Sequence, residues 1–448
     1  MKEKLHVGFI TTVSGRWPRE VPRQLLAAYG AWLQEHFPAV DWIAFEDIID
    51  SDARIGEAIE TLRRGGADLV VMLYGAFTGD DVSAAVADAL NVPLILWAPR
   101  EPELNGGRLL ANAMVALTMN SASLYRLGHV SHPVYGGLES AEATARISTL
   151  IQAYGVIKAM RHTLIGLFGY RPTAFYNSTF DEGLIRRTFG VRIEETDLKV
   201  VFDRMAAENA ADVLNDRRNV EKRFHLDPSL PDEYRDNHAR LYLALKALTA
   251  EQGYDYSILK CWPEMGNLKT TPCAVMGRLA DEGTHIVCEG DMDAALALIA
   301  QNLITGEPNF ITDMIDINEA ENYLTFWHCG NAAPSLHEPT FDTVMGDHPL
   351  AGQGTAFRTT LKSGPVTISR LCNINGVYKL LLIRGTARAT ELYTPGCMVN
   401  VTVNTPVKDV LYGIIAHGIP HHYSIVWEDV ADVMRQFAAI LGLEVIEY

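Results

Sequence analysis

The sequence has no surplus of positive charge. Its 448 residues carry 38 Lys and Arg against 55 Asp and Glu, a formal net charge of −17. A chain this acidic has no bulk attraction to nucleic acid or to anionic lipid; only local basic pockets remain open to such ligands. Long apolar runs are also missing. No window approaches the roughly 18 uninterrupted apolar residues that a membrane-spanning helix needs, so no membrane partner is expected. The opening MKEKLHVGFITT turns polar after a short apolar stretch and reads as a first strand rather than an export signal. There are 6 cysteines, Cys261, Cys273, Cys288, Cys329, Cys372 and Cys397, and none stands in C-x-x-C spacing. That pattern points to reduced, buried thiols in the cytoplasm. No G-x-G-x-x-G follows the first strand, which argues against a dinucleotide site. No internal repeat or low-complexity tract stands out.

What is present is apolar content, 48% of the chain, enough for a large core. The length allows two to four domains at roughly 100–200 residues each. Residues 1–100 alternate strand and helix: LHVGFITT, VDWIAFEDI, ADLVVMLYG and VPLILWAP are apolar strands separated by helical segments. Near-continuous apolar strands with helices between them predict a parallel sheet covered on both faces, in a doubly wound, flavodoxin-like layout. Residues 140–160 are helical and lead to a second α/β unit with strands in HTLIGLFGY, GVRIEETD and YDYSILKCW. A long polar stretch over 197–252, broken by Pro228 and Pro231, reads as a solvated or interface helix pair. After about residue 305 the texture becomes antiparallel. VTISRLCNI and VYKLLLIRG flank Asn375-Gly376, a hairpin signal because both central residues take positive φ. ATELYT, MVNVTV and HYSIVW read as further strands, and DVADVMRQFAAILGL as a closing helix. The expected fold is α/β: two doubly wound (flavodoxin/Rossmann-like) parallel-sheet domains, over 1–155 and 156–304, followed by an antiparallel β-barrel-like domain over 305–448.

Two strand ends carry unusual acids. Glu264 in KCWPEM and Asp291 in HIVCEGDMDAAL both lie just past predicted parallel strands, where open α/β sheets build their sites. Taken alone, Asp291 also reads as a helix N-cap and Glu264 as an exposed loop acid. Three histidines, His417, His421 and His422, crowd into AHGIPHHY. Two carboxylates and an imidazole suit Mn²⁺ or Mg²⁺ better than structural zinc. The Gly352-x-Gly354 pair in AGQGTAF reads as a turn rather than a phosphate cradle.

The runs KCWPEM, CEGDMDAAL, TFWHCGNAAPSL and AHG, in this order and spacing, resemble the L-fucose isomerase family, in particular its shorter L-fucose isomerase-like branch. The order of two α/β units and a C-terminal β domain matches over nearly the whole chain. The resemblance implies a divalent metal, usually Mn²⁺ with Mg²⁺ or Co²⁺ as alternatives, held by Glu264, Asp291 and His417. It implies an aldose–ketose isomerase working through a cis-enediolate, with Glu264 and Asp291 as proton carriers and a hydride shift as the mechanistic rival. It further implies a homo-oligomer (dimer, trimer or hexamer) with the site near subunit contacts, where Arg16 in VSGRWPRE would reach the substrate.

Other candidates for substrate contact are His328 at a strand end, Trp262 as a pocket wall and Lys260 for an anionic substituent; Glu289 would orient a ligand from behind. The same isomerisation on an anionic sugar, sulfoquinovose to sulfofructose, is the first alternative, since Lys260 and the cluster Arg16, Arg19 and Arg23 make room for an anion. A non-catalytic sugar-binding protein and a metal-dependent aldolase are the others.

Overall fold

In the computed structural model the described residues are 4–102, 104 and 106–448. They form two compact units, one ending at Lys158 and the other running from Ala159 to Tyr448. The first unit is a five-stranded parallel sheet. Its strands are β1 (His6–Thr12), β2 (Asp41–Ile49), β3 (Leu69–Tyr74), β4 (Leu94–Ala98) and β5 (Ser131–Tyr135), in the order β2-β1-β3-β4-β5. Every residue of LVVMLY in β3 and LILWA in β4 is buried, as expected of central strands with helices on both faces.

The second unit begins with another parallel sheet, built from β6 (Leu164–Phe168), β7 (Arg192–Thr196), β9 (Tyr256–Leu259) and β10 (Ile286–Val287), in the order β10-β9-β6-β7. Between β7 and β9 lies a short strand, β8 (His225–Leu226). The polar stretch around it forms three helices rather than a pair: Leu198–Ala207, Ala210–Arg223 and Asp232–Gln252. The last of them is not simply solvated, because Leu241, Tyr242, Leu245 and Leu248 are buried along one stripe. The chain breaks where Pro228 and Pro231 stand, and Pro231 immediately precedes that helix.

The remaining strands are β11 (Phe310–Asn318), β12 (Tyr323–His328), β13 (Val344–Gly346), β14 (Ala356–Thr360), β15 (Gly364–Ile374), β16 (Val377–Arg388), β17 (Cys397–Val403), β18 (His422–Val426) and β19 (Glu444–Glu447). Six of them close a barrel in the order β16-β15-β18-β11-β12-β17, with β17 pairing back to β16, and every one of these pairings is antiparallel. Closure leaves the barrel no open edge. The β15–β16 hairpin turns on Asn375 and Gly376, at φ 54° and 87°, as the Asn-Gly pair predicts. ATELYT, by contrast, is irregular chain between β16 and β17, and β19 is a strand the pattern did not announce. The seam expected at 304/305 falls inside the second unit. The helix Met292–Thr305, buried over ten successive residues, packs on β9 and β10 on one side and on β15 and β18 on the other. It therefore joins the parallel sheet to the barrel through one shared core.

Candidate active site

The carboxyl ends of β9 and β10 meet the rim of the barrel. After β10 the chain reads Cys288, Glu289, Gly290, Asp291. Glu289 and Gly290 both take positive φ, 59° and 65°. A Cβ at Gly290 would stand 2.2 Å from the Tyr170 carbonyl oxygen and 2.8 Å from Arg171 Cα, so only glycine fits there. A non-glycine residue held in this region is a strained position, and here it swings the Glu289 side chain towards the barrel.

Asp291, at the N-terminus of helix Met292–Thr305, faces inward. It is 0% exposed. Its carboxylate accepts Arg370 Nη1 and Nη2 of β15 at 2.8 and 2.9 Å, the Ala294 N–H at 3.0 Å, and His422 Nδ1 of β18 at 2.8 Å. Burial alone would raise its pKa, but the Arg370 guanidinium, followed by His422, holds it well below the usual carboxylate range. By accepting the Nδ1 proton, Asp291 leaves His422 Nε2 pointing the other way, in the arrangement by which a carboxylate behind an imidazole orients a ligand.

In front of that nitrogen stands Glu289. Its Oε2 lies 3.1 Å from His422 Nε2 and 3.7 Å from His421 Nε2, while its Oε1 accepts the Trp262 indole N–H at 3.0 Å. His422 Nε2 nevertheless makes no hydrogen bond of acceptable geometry, although it is buried. Two groups side by side rather than in line fit ligands that converge on a third point. Burial works against the charge of Glu289, yet the neighbouring His421 and His422 hold it well below the usual carboxylate range. Burial likewise opposes charge on His422, but Asp291 and Glu289 push its pKa up to about 10. A protonated His422 would place a positive charge between the two carboxylates.

Among the described residues two groups bring three ligand atoms within 4.8 Å: Glu289, His421 and His422, and Cys288, His328 and His422. The first is the better fit for a hard divalent ion, having a charged oxygen and two imidazoles. Asn177 Nδ2 lies 2.9 Å from His421 Nδ1; turning the amide over would place its oxygen there to accept the Nδ1 proton and would free Nε2 for an ion. The second group is less apt. His328 Nδ1 accepts the Cys329 N–H at 2.9 Å, so Nε2 carries the proton, and that nitrogen faces Cys288 Sγ at 3.5 Å. Burial keeps His328 neutral and drives the Cys288 thiol far up. His328 is thus a donor into the site.

Of these side chains Glu289, His328 and Cys288 line a cavity of about 520 Å³, whose wall also includes Trp262, Phe175, His348 and Gln353. The structure therefore collects three residues expected from the sequence, Trp262, His328 and Glu289, on one surface. It does not bring Glu264, Asp291 and His417 together. Glu264 opens the short helix Glu264–Asn267 and pairs with Lys260, with its other carboxylate oxygen buried and unpartnered. Burial of Glu264 is outweighed by that ammonium, which lowers its pKa. Asp291, expected as a ligand, is enclosed behind His422, while Glu289, expected to orient a ligand from behind, faces the cavity. His417 ends the helix Val407–Ala416, 41% exposed and 4.0 Å from Glu444; the converging imidazoles are those of its neighbours in AHGIPHHY. Lys260 is engaged by Glu264 rather than free for an anion.

In the first unit, Arg16 is exposed on the wall of a cleft of about 580 Å³ at the carboxyl ends of β1, β2 and β3. Arg19 and Arg23 are matched to Asp50 and Asp47, at 2.6 and 3.8 Å. Those aspartates stand in β2 and the turn after it, which a scan for arginines alone does not weigh. Arg370 carries no motif signal, and only the register of β15 and β18 places it beside Asp291 and His422.

No family model matches the chain. Curated relatives do. A sulfoquinovose isomerase of Alkalicoccus urumqiensis is 29% identical over 85% of this chain and 86% of its own length. Another of Priestia megaterium is 27% identical over 92% of each, and one of Clostridium sp. (strain MSTE9) is 26% identical over 84% of this chain and 85% of its own. Among solved structures, a periplasmic solute-binding protein of an ABC transporter from Actinobacillus succinogenes, with bound D-allose, covers 68% of the chain at 10% identity and a TM-score of 0.18, too slight a likeness to argue from. The curated likeness, near full length in both directions, makes this chain an enzyme of the isomerase class.

Proposed function

We propose that the chain interconverts sulfoquinovose and sulfofructose, an aldose and a ketose that carry a sulfonate, with Mn²⁺ or a similar divalent ion held by Glu289, His421 and His422. The observation that carries this reading is the alignment with relatives named sulfoquinovose isomerase over 84–92% of the chain. The buried, unpartnered His422 Nε2 beside a charged carboxylate supports the ion.

The reaction moves a proton between C2 and C1, and that C–H bond is far too weakly acidic for a lone carboxylate in water. Such an ion supplies charge stabilisation as an enediolate develops on two neighbouring oxygens. The chain's own groups do the rest. Glu289 faces the cavity as a carboxylate and is placed to take the proton from one carbon and return it to the next. Asp291, expected to carry the proton, instead holds His422 in one tautomer, and Arg370 keeps Asp291 charged. His328 Nε2–H donates to a substrate oxygen, and the Trp262 ring walls the cavity while its N–H steadies Glu289.

A sulfonate asks for a guanidinium with no competing acid. Arg171 meets that requirement. Among the described residues it has no ion pair, its Nε is buried without a hydrogen bond, and its loop carries Phe175 into the cavity wall and Asn177 to His421. The test is ketose formation from sulfoquinovose and from neutral aldoses after chelation and Mn²⁺ addition. Arg171→Ala should lower kcat/KM on sulfoquinovose by about 10–100-fold, the worth of a charged hydrogen bond, and leave neutral aldoses within about twofold by the same measure. Equal turnover of neutral and sulfonated sugars by the wild type sinks the anionic reading.

A further inference from the structure

His348 takes no part in the function proposed above, yet it lines the same cavity as Trp262, Glu289 and His328. It stands in the loop between β13 and β14, in the stretch HPLAGQG. That loop is held from several sides. The Gly352 N–H donates to the His348 carbonyl at 2.9 Å, and the His348 N–H to that of Gln353 at 3.4 Å. Gly354 packs against the chain at Thr271, where a Cβ would stand 2.4 Å from the backbone nitrogen. Arg358 of β14 pairs with Asp347, next to His348. Within the loop, His348 Nδ1 accepts the Leu350 N–H at 3.2 Å and the Ala351 N–H at 3.1 Å. A ring nitrogen that accepts carries no proton, so in the neutral imidazole the proton sits on Nε2. Burial, followed by the nearby His328, pulls the His348 pKa down to about 4, which keeps the ring neutral at physiological pH. Among the described residues no group pairs with that Nε2. The cavity wall thus holds a neutral N–H donor, fixed in one tautomer, for which the chain supplies no acceptor.

We propose that His348 is a substrate-binding residue whose Nε2–H donates to a hydroxyl of the open-chain sugar. This rests on the isomerase reading above. His328 presents its Nε2–H by the same device, its Nδ1 being taken by the Cys329 N–H. Two neutral donors in one cavity suit the alcohol oxygens of a polyhydroxylated chain, whereas a sulfonate asks for a guanidinium. His348 therefore reads the sugar's hydroxyls and not its anion, and it serves a sulfonated and a neutral aldose alike. Such a donor also selects, because a substrate lacking that hydroxyl leaves the N–H unpaired.

The test separates the donor from the loop it helps to hold. Asparagine can set Oδ1 where His348 has Nδ1 and accept the same amides, as in an Asx-turn, but it is too short to put an N–H in the place of Nε2. His348→Asn should lower kcat/KM by at least about fivefold, the low end of leaving a polar group unpaired, on every aldose that the wild type turns over with Mn²⁺. His348→Ala, which loses the amide acceptor as well, should fall at least as far. Circular dichroism checks the fold; if His348→Asn does not fold, His348→Ser, whose hydroxyl can accept the same amides, is measured against the same criterion. A smaller loss in the folded variant overturns the assignment, and a large loss confined to His348→Ala would make His348 a loop anchor only. If Glu289→Gln is inactive while His348→Asn keeps its rate, only His348 falls. If wild type isomerises neither sulfoquinovose nor a neutral aldose, the isomerase reading and this donor fall together.

Discussion

Replacing Arg370 with leucine isolates the support behind the site. Arg370 and Asp291 are each 0% exposed and joined by two hydrogen bonds, at 2.8 and 2.9 Å. Leucine keeps the core apolar but leaves Asp291 buried without its guanidinium. Removing one partner of a buried pair costs about 3–5 kcal/mol, because the remaining charge is uncompensated. Asp291 would still have the Ala294 N–H and His422, and His422 can hold a proton. The loss should therefore sit near the lower bound, about 3 kcal/mol. It is measured by urea unfolding at neutral pH, with Arg370→Leu compared with Arg370→Leu/Asp291→Asn. The double variant removes the stranded charge and should recover part of the loss, a non-additivity expected of residues in contact. A single variant within about 1 kcal/mol of wild type, or a double variant no more stable than the single one, would refute the claim that this pair holds charge in the core.

Two further outcomes follow from the same geometry. In the metal-free protein the His422 pKa is pushed up to about 10. A raised folded-state value means the stabilisation is complete below the ordinary histidine value, about 6.5, and is lost as pH climbs towards the folded one. Urea midpoints should fall across that window by at most about 1.4 kcal/mol per pH unit, and the decline should vanish in His422→Gln; a flat wild-type profile contradicts the proton between the carboxylates. Gly290→Ala should cost more than Gly283→Ala. Both glycines have positive φ, 65° and 79°, but only at Gly290 does a Cβ collide with backbone. The Gly283 variant reports the dihedral strain alone, of order 1–3 kcal/mol, and equal losses in the two would mean the Tyr170–Arg171 backbone yields.

Much of the fold was legible because its signals are local. The apolar runs of β1, β3 and β4, the Asn375-Gly376 turn and the acids after β9 and β10 are each readable within a few residues. The barrel strands were legible as strands but not as a closed ring, since closure is the pairing of β16 with β17 and no single segment encodes it. ATELYT shows the opposite error: a β-favouring composition between two barrel strands is loop here. Trp262, His328 and Glu289, each singled out within a motif, share one cavity wall. In CEGD the fold turns Asp291 inward and Glu289 to the cavity, the reverse of the placement expected, because side-chain direction depends on the positive φ of Glu289 and Gly290. AHGIPHHY was likewise recognised, but a helix end turns His417 away, while β18 begins at His422 and carries it inward.

Residue order alone established an acidic chain with two parallel α/β sheets and a β domain, and acids at the strand ends where such sheets place chemistry. Period, turn residues and charge are properties of neighbours along the chain, so they survive without coordinates. Tertiary structure decided which acid meets which imidazole. Arg370, His422 and the turn that carries Glu289 and Asp291 come from separate parts of one unit, and only strand register and a strained turn after β10 bring their charged atoms within 4 Å of a neighbour in the set. Charge and ligand roles fall off over a few ångströms, a scale that sequence separation does not report.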